Sequence, residues 1–218
     1  PAALLSGANL AAIGDGSPEG WELVQFAQAQ LLAPGRFLLR QLLRGQLGSE
    51  AVMPAQWPVG SRFVLLDQAV EQLPMAPSQR GIERQFRIGP ARRPVTDASF
   101  TPQRHAFAGV GLRPLAPVHL RAVSQAGGLA LSWVRRTRID GDAWEGLEVP
   151  LGEESESYLL RIFQAGQIRH QEVLGTPYWE MPAALRAALA PGAIQAEVAQ
   201  ISAVSGPGYG ARLTVQMA

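Results

Sequence analysis

Glu153, Glu154 and Glu156 crowd three carboxylates into four positions of the chain. Paired carboxylates hydrolyse glycosides when they face each other across a sugar, one of them with a raised pKa. Neighbours on one loop do not face each other in that way, and no partner residue nearby would raise a pKa, so these three read as a solvated loop. Asp140, Asp142 and Glu145 start like a calcium loop. That motif then requires an oxygen ligand where Trp144 stands and glycine where Glu145 stands. Asp140-Gly141 instead reads as a tight turn. His105, His119 and His170 lie far apart, without metal-ligand spacing and without a nucleophile motif beside them. Gly206 to Gly210 (GPGYG) is rich in glycine, but a phosphate cradle needs a helix after it and an alternating strand follows here. It reads as the loop between the last two strands, with Tyr209 at its tip.

Composition narrows the chemistry further. The sequence has no cysteine, which excludes disulfides, thiolate metal sites and cysteine nucleophiles. It has no lysine either, which excludes Schiff-base and P-loop chemistry; all 19 cationic residues are arginine. The net charge is +1, and the arginines divide 11 before and 8 after Leu115, against 8 and 10 acidic residues. Neither half is a basic arm, so direct nucleic-acid binding is not expected. Arg135, Arg136 and Arg138 stand near Trp144, and local pairing with Asp140, Asp142 and Glu145 accounts for them. No apolar run reaches the length of a membrane span. No catalytic residue, metal ligand or cofactor site is expected. The opening Pro1, with no basic leader after it, reads as an internal piece of a longer chain.

The elements that would carry these residues are strands. Gly and Pro total 40 residues and punctuate the chain at strand-length intervals. After residue 117 the alternation is clean. Val118, Leu120 and Ala122 form one apolar face, Leu129, Leu131 and Trp133 a second, and Ala211, Leu213, Val215 and Met217 a third. Four more strands fall at 157–164, 167–174, 178–181 and 193–201. About seven strands in roughly 100 residues is the pattern of an immunoglobulin-like sandwich. Trp133 should fill the space between its sheets, and Pro182 to Leu189 should cross between them.

The first half is less regular. Residues 21–32 and 36–43 flank Pro34-Gly35 like a hairpin, although Arg36, Arg40 and Arg44 also recur at helical spacing beside leucines. A short helix capped by Ser49 is predicted within 48–56, with strands at 62–66, 82–88 and 104–110 and a long loop over 90–103. The fold class is therefore all-β. An irregular β-domain over 1–115 precedes a fibronectin type III-like β-sandwich over 116–218, with the boundary at Pro114 to Pro117.

Longer motifs carry a resemblance. The C-terminal half, with LALSWVRR, ESYLLRIF and the GPG after the penultimate strand, resembles a fibronectin type III domain. It departs from that family in placing Ile194, Ala196 and Val198 where a tyrosine usually stands. LLRGQLGSE (Leu42 to Glu50), WPVGSRFVLLD (Trp57 to Asp67), FAGVGLRPLAPVHLRA (Phe107 to Ala122) and the stretch from Trp133 to Ile162 together resemble the C-terminal part of the large tail-tip protein of alphaproteobacterial gene transfer agents. The first motif is also similar to phage host-specificity tip proteins.

The resemblance implies a non-catalytic structural module in the tail tip or baseplate of a phage-like particle, made in the bacterial cytoplasm and released with the particle. It implies other tail-tip proteins as partners, a homotrimer in the full-length protein, and contact with a glycan or protein of the recipient envelope. Trp144, Trp179 and Tyr209 are the candidate contact residues. The alternative is a non-catalytic carbohydrate-binding module of a secreted glycan-active enzyme, which calls for coplanar, exposed aromatics.

Overall fold

The computed structural model describes residues 2–125, 128–141 and 149–217, the side chain of Gln125 excepted. It is all-β and divides into two compact units, Pro1–Gly111 and Leu112–Ala218.

The first unit opens with a single helical turn, α1 (Ala2–Leu5), and then β1 (Leu10–Gly14), β2 (Trp21–Ala33), β3 (Arg36–Gln46) and β4 (Arg62–Leu65). These strands form an antiparallel sheet in the order β3-β2-β1-β4. Pro34-Gly35 closes the β2–β3 hairpin, with Ala33 opposite Arg36 and Gly35 at φ 71°. Local pairing across that turn overrides the helical spacing of Arg36, Arg40 and Arg44. The five small and aliphatic residues of β1 carry too little pattern to declare a strand in the sequence. A separate two-stranded sheet pairs β5 (Glu83–Ile88) with β6 (Thr101–Ala106).

Two expectations for this unit need correction. The helix predicted within 48–56 is one 3-10 turn, Ser49–Val52, with Gly48 rather than Ser49 at its cap position. The Ser49 hydroxyl is engaged elsewhere: it donates to the Gln46 carbonyl (2.7 Å) and accepts from the Leu23 amide (2.8 Å). The last strand begins at Thr101, inside the expected loop, and stops at Ala106. Pro102 is tolerated there because a two-stranded sheet consists only of edges.

The second unit contains β7 (Val118–Gln125), β8 (Gly128–Val134), β9 (Tyr158–Gln164), β10 (Gln167–Leu174), β11 (Tyr178–Glu180), β12 (Gly192–Ser202) and β13 (Gly206–Met217). A three-stranded sheet, β11-β8-β7, faces a four-stranded one, β10-β9-β12-β13, as an immunoglobulin-like sandwich. The connection from β11 to β12 carries α2 (Ala183–Ala188), and Leu185 and Leu189 from this crossing pack against the core.

The alternation read from the sequence appears as burial. Leu129, Leu131 and Trp133 from one sheet meet Tyr158, Leu160, Ile162, Ile194, Ala196 and Val198 from the other. Trp133 lies edge-on to Tyr158 with ring centroids 5.3 Å apart, so it does fill the space between the sheets. Trp133→Ala should cost the second unit about 3–5 kcal/mol, the usual loss for a buried large aromatic. Urea unfolding of this variant, followed by circular dichroism, checks the figure.

The GPGYG segment is not a loop. The turn is Ala203–Ser205, and β13 already begins at Gly206. Its glycines permit close approach instead: a Cβ on Gly208 would collide with the Pro114 backbone, next to the hydrogen bond from the Tyr209 amide to the Pro114 carbonyl (3.4 Å).

Candidate interaction surfaces

A densely bonded side chain in the first unit is one that sequence reasoning missed. Glu22, near the start of β2, has a fully buried side chain. Its carboxylate accepts from Arg44 Nε (2.9 Å) and Nη2 (2.6 Å), the Gly45 amide (3.0 Å) and Trp57 Nε1 (2.6 Å). Arg44 also donates to the Pro54 and Ala55 carbonyls, at 2.9 and 3.2 Å. Gly45 turns its amide toward the carboxylate at φ 61°, a left-handed conformation that glycine adopts without strain. Burial pushes the Glu22 pKa up, but the hydrogen bonds from Arg44, Trp57 and Gly45 outweigh it and hold the carboxyl below its ordinary value. Two of the sequence motifs, LLRGQLGSE and WPVGSRFVLLD, thus meet at one carboxylate.

That node anchors a ribbon. β1 pairs with β2 only from Trp21 to Gln25, so the rest of the β2–β3 hairpin extends past the sheet. Register places Ala29 opposite Leu39 and Leu31 opposite Phe37 on one face, with Gln28 opposite Arg40 on the other. Leu39 packs against the small cluster of Ala11, Val24 and Phe26. Further along the same face, Leu31 is 62% and Phe37 58% exposed. An apolar pair left uncovered on a hairpin has the character of a contact surface.

The sequence-predicted contact residues fare differently in the second unit. Trp144 lies outside the described residues, as do Asp142 and Glu145. Trp179 is 4% exposed and belongs to the core, with Nε1 donating to Glu172 Oε2 (3.0 Å). It therefore offers no face to a partner. A strand of three residues is too short for alternation to reveal which side faces inward. Tyr209 is half-buried, with the Arg113 guanidinium 5.9 Å from its ring centroid.

The acidic cluster is not a solvated loop. Glu153 pairs with Arg138 (2.8 Å) and Glu156 with Arg135 (3.5 Å), while Glu154 accepts from the Ala203 amide (3.0 Å). Thus Arg135 and Arg138 reach this cluster, while the expected pairing with Asp142 and Glu145 falls outside the described residues. Glu156 also accepts from the Tyr158 hydroxyl (2.7 Å), and burial followed by that carboxylate raises the phenol pKa. His170 hydrogen-bonds Glu172 (3.1 Å), and His119 is exposed at φ 53°. Among the described residues no group of three or more His, Cys, Asp or Glu could hold a metal ion, and no helix is long and apolar enough to cross a membrane.

Fold and surfaces together define an all-β protein with an uncovered apolar ribbon on its first unit. Residues 1–64, which contain that ribbon and the Glu22 node, match the family model described as "Rcc01698-like, C-terminal". No curated protein matches the chain. Among solved structures it aligns with the rat CD45 extracellular region, domains d3–d4. The two are 8% identical over 87% of this chain and 94% of that one, with a TM-score of 0.37, and so distant a likeness carries no argument.

Proposed function

We propose that the chain is a non-catalytic structural and interaction module of a gene transfer agent or phage-like tail tip. Its partners are other tail-tip and baseplate proteins, with a homotrimer as the full-length state and contact with a glycan or protein of the recipient envelope. The observation that carries this reading is the uncovered face of the β2–β3 ribbon. It lies within the residues that match the family model, and the cluster behind it buries only Ala11, Val24 and Phe26. Burying a large apolar side chain contributes about 1.5–3 kcal/mol, while ordering one residue's backbone costs about 1–2 kcal/mol. So small a cluster supports a partner that completes the core.

The carbohydrate-module alternative needs coplanar, exposed aromatics. It is not favoured with Trp179 buried and Tyr209 beside Arg113. A gold-binding tag placed after Ala218 and imaged by electron microscopy on intact particles tests the proposal. Label at the distal tail tip is the expected result. Normal particles without label, from cells that express the tagged chain, would overturn it.

A further inference from the structure

The β5–β6 sheet differs in character from the ribbon. Residues 80–105 hold six arginines against two carboxylates. Arg93 pairs with Asp97 at 3.4 Å and Arg104 with Glu83 at 3.6 Å. Arg84, Arg87 and Arg92 make no ion pair among the described residues. Register puts Arg84 opposite His105 and Phe86 opposite Gln103, so Arg84, Phe86 and His105 share one face of the sheet. Phe107, just past β6, joins that face, with its ring 6.0 Å from both Phe86 and His105. Ile88 at the end of β5 is 62% exposed, Ile82 just before it 55% and Phe107 38%. Every residue of β6 is exposed.

We propose that this hairpin is a docking surface for an anionic lipid bilayer. The charge excess calls for an anionic partner, and the ring geometry selects among them. Bases and sugars stack flat on aromatic faces. Here the rings meet at 53°, 86° and 34°, an angled cluster without a common plane. A bilayer interface instead accepts apolar side chains of any orientation while its phosphates meet guanidinium groups. Isoleucines at both ends of β5 fit that environment and have no role in reading a soluble polyanion. The surface is distinct from the ribbon, so this inference does not rest on the assembly reading.

Flotation of the full chain with vesicles tests it. The chain should float with vesicles of equal parts phosphatidylglycerol and phosphatidylcholine, remain behind with phosphatidylcholine alone, and be released by high salt. Arg84→Glu/Arg92→Glu, the first on the face of Phe86 and His105, should weaken binding by at least about tenfold. Ile88→Ser/Phe107→Ser should weaken it as well, although the charge is unchanged. Flotation with neither vesicle, equal flotation with both, or undiminished binding of the second variant would overturn the proposal. So would retention on immobilised polyuronate or single-stranded oligonucleotide by a chain that does not float. Circular dichroism confirms that each variant is folded. If one is not, the salt titration of the unaltered chain decides, and binding that persists unchanged in high salt counts against the proposal.

Discussion

Arg44→Ala should destabilise the first unit by about 3–5 kcal/mol while leaving the second intact. Without the guanidinium, the Glu22 carboxylate would remain buried with only the Gly45 amide and Trp57 Nε1 as donors. Breaking a buried pair by removing one partner costs about 3–5 kcal/mol. A typical domain has only about 5–15 kcal/mol in total, and the core cluster of this one consists of three buried apolar residues among those described. Urea unfolding should show two transitions, since tryptophans report from both units, and only the one reported by Trp21 and Trp57 should move. Arg44→Lys keeps the charge but loses the two-pronged contact, and it should fall between. An unmoved first transition in Arg44→Ala would mean that the node contributes nothing to stability.

The same node makes the first unit sensitive to acid. The folded pKa of Glu22 lies below its ordinary value of 4.5, so folding favours the ionised form. Its contribution is therefore complete above that value and is lost as pH falls through the folded pKa. Glu22→Gln should flatten this acid limb as well as lowering stability at neutral pH. Measuring the first urea midpoint from pH 7 downward in both proteins tests the assignment.

Leu31→Ser/Phe37→Ser should leave the chain folded and exclude it from its assembly. Both side chains are already more than half exposed, so the isolated protein has little burial to lose. A partner that covers them would gain about 1.5–3 kcal/mol from each. Losing both therefore corresponds to roughly a hundredfold or more in affinity. Variant and unaltered chains, expressed together with different tags, should both be present in the cells, but only the unaltered chain should appear in purified particles. Equal incorporation would mean that the partner binds elsewhere on the chain. Gln28→Ser, on the opposite face of the ribbon, is the matching control and should incorporate normally.

The sequence by itself determined what depends on neighbours along the chain. The period of two at residues 118–122, 129–133 and 211–217 marks three strands because a strand buried on one face must alternate, and turn signals space four more between them. Pro34-Gly35 marks the first hairpin because few dipeptides turn so tightly. Trp133 is assigned to the core by its place among Leu129 and Leu131. Missing from that reading is whatever depends on which distant segments meet. Glu22, Arg44 and Trp57 are ordinary residues in the sequence, yet they form one buried site because β2, β3 and the segment after the 3-10 turn converge there. Glu153 and Glu156 look like a solvated run until Arg138 and Arg135 are brought opposite them. Trp179 looks like a contact residue until β11 joins β8 and turns its ring inward. Even the uncovered face of the ribbon emerges from structure: Leu31 and Phe37 look like ordinary strand residues in the sequence, and only the fold shows that nothing among the described residues packs over most of their surface. Local chemistry decides which element forms, but burial is a property of pairs far apart in the chain, and only the tertiary structure decides which pairs exist.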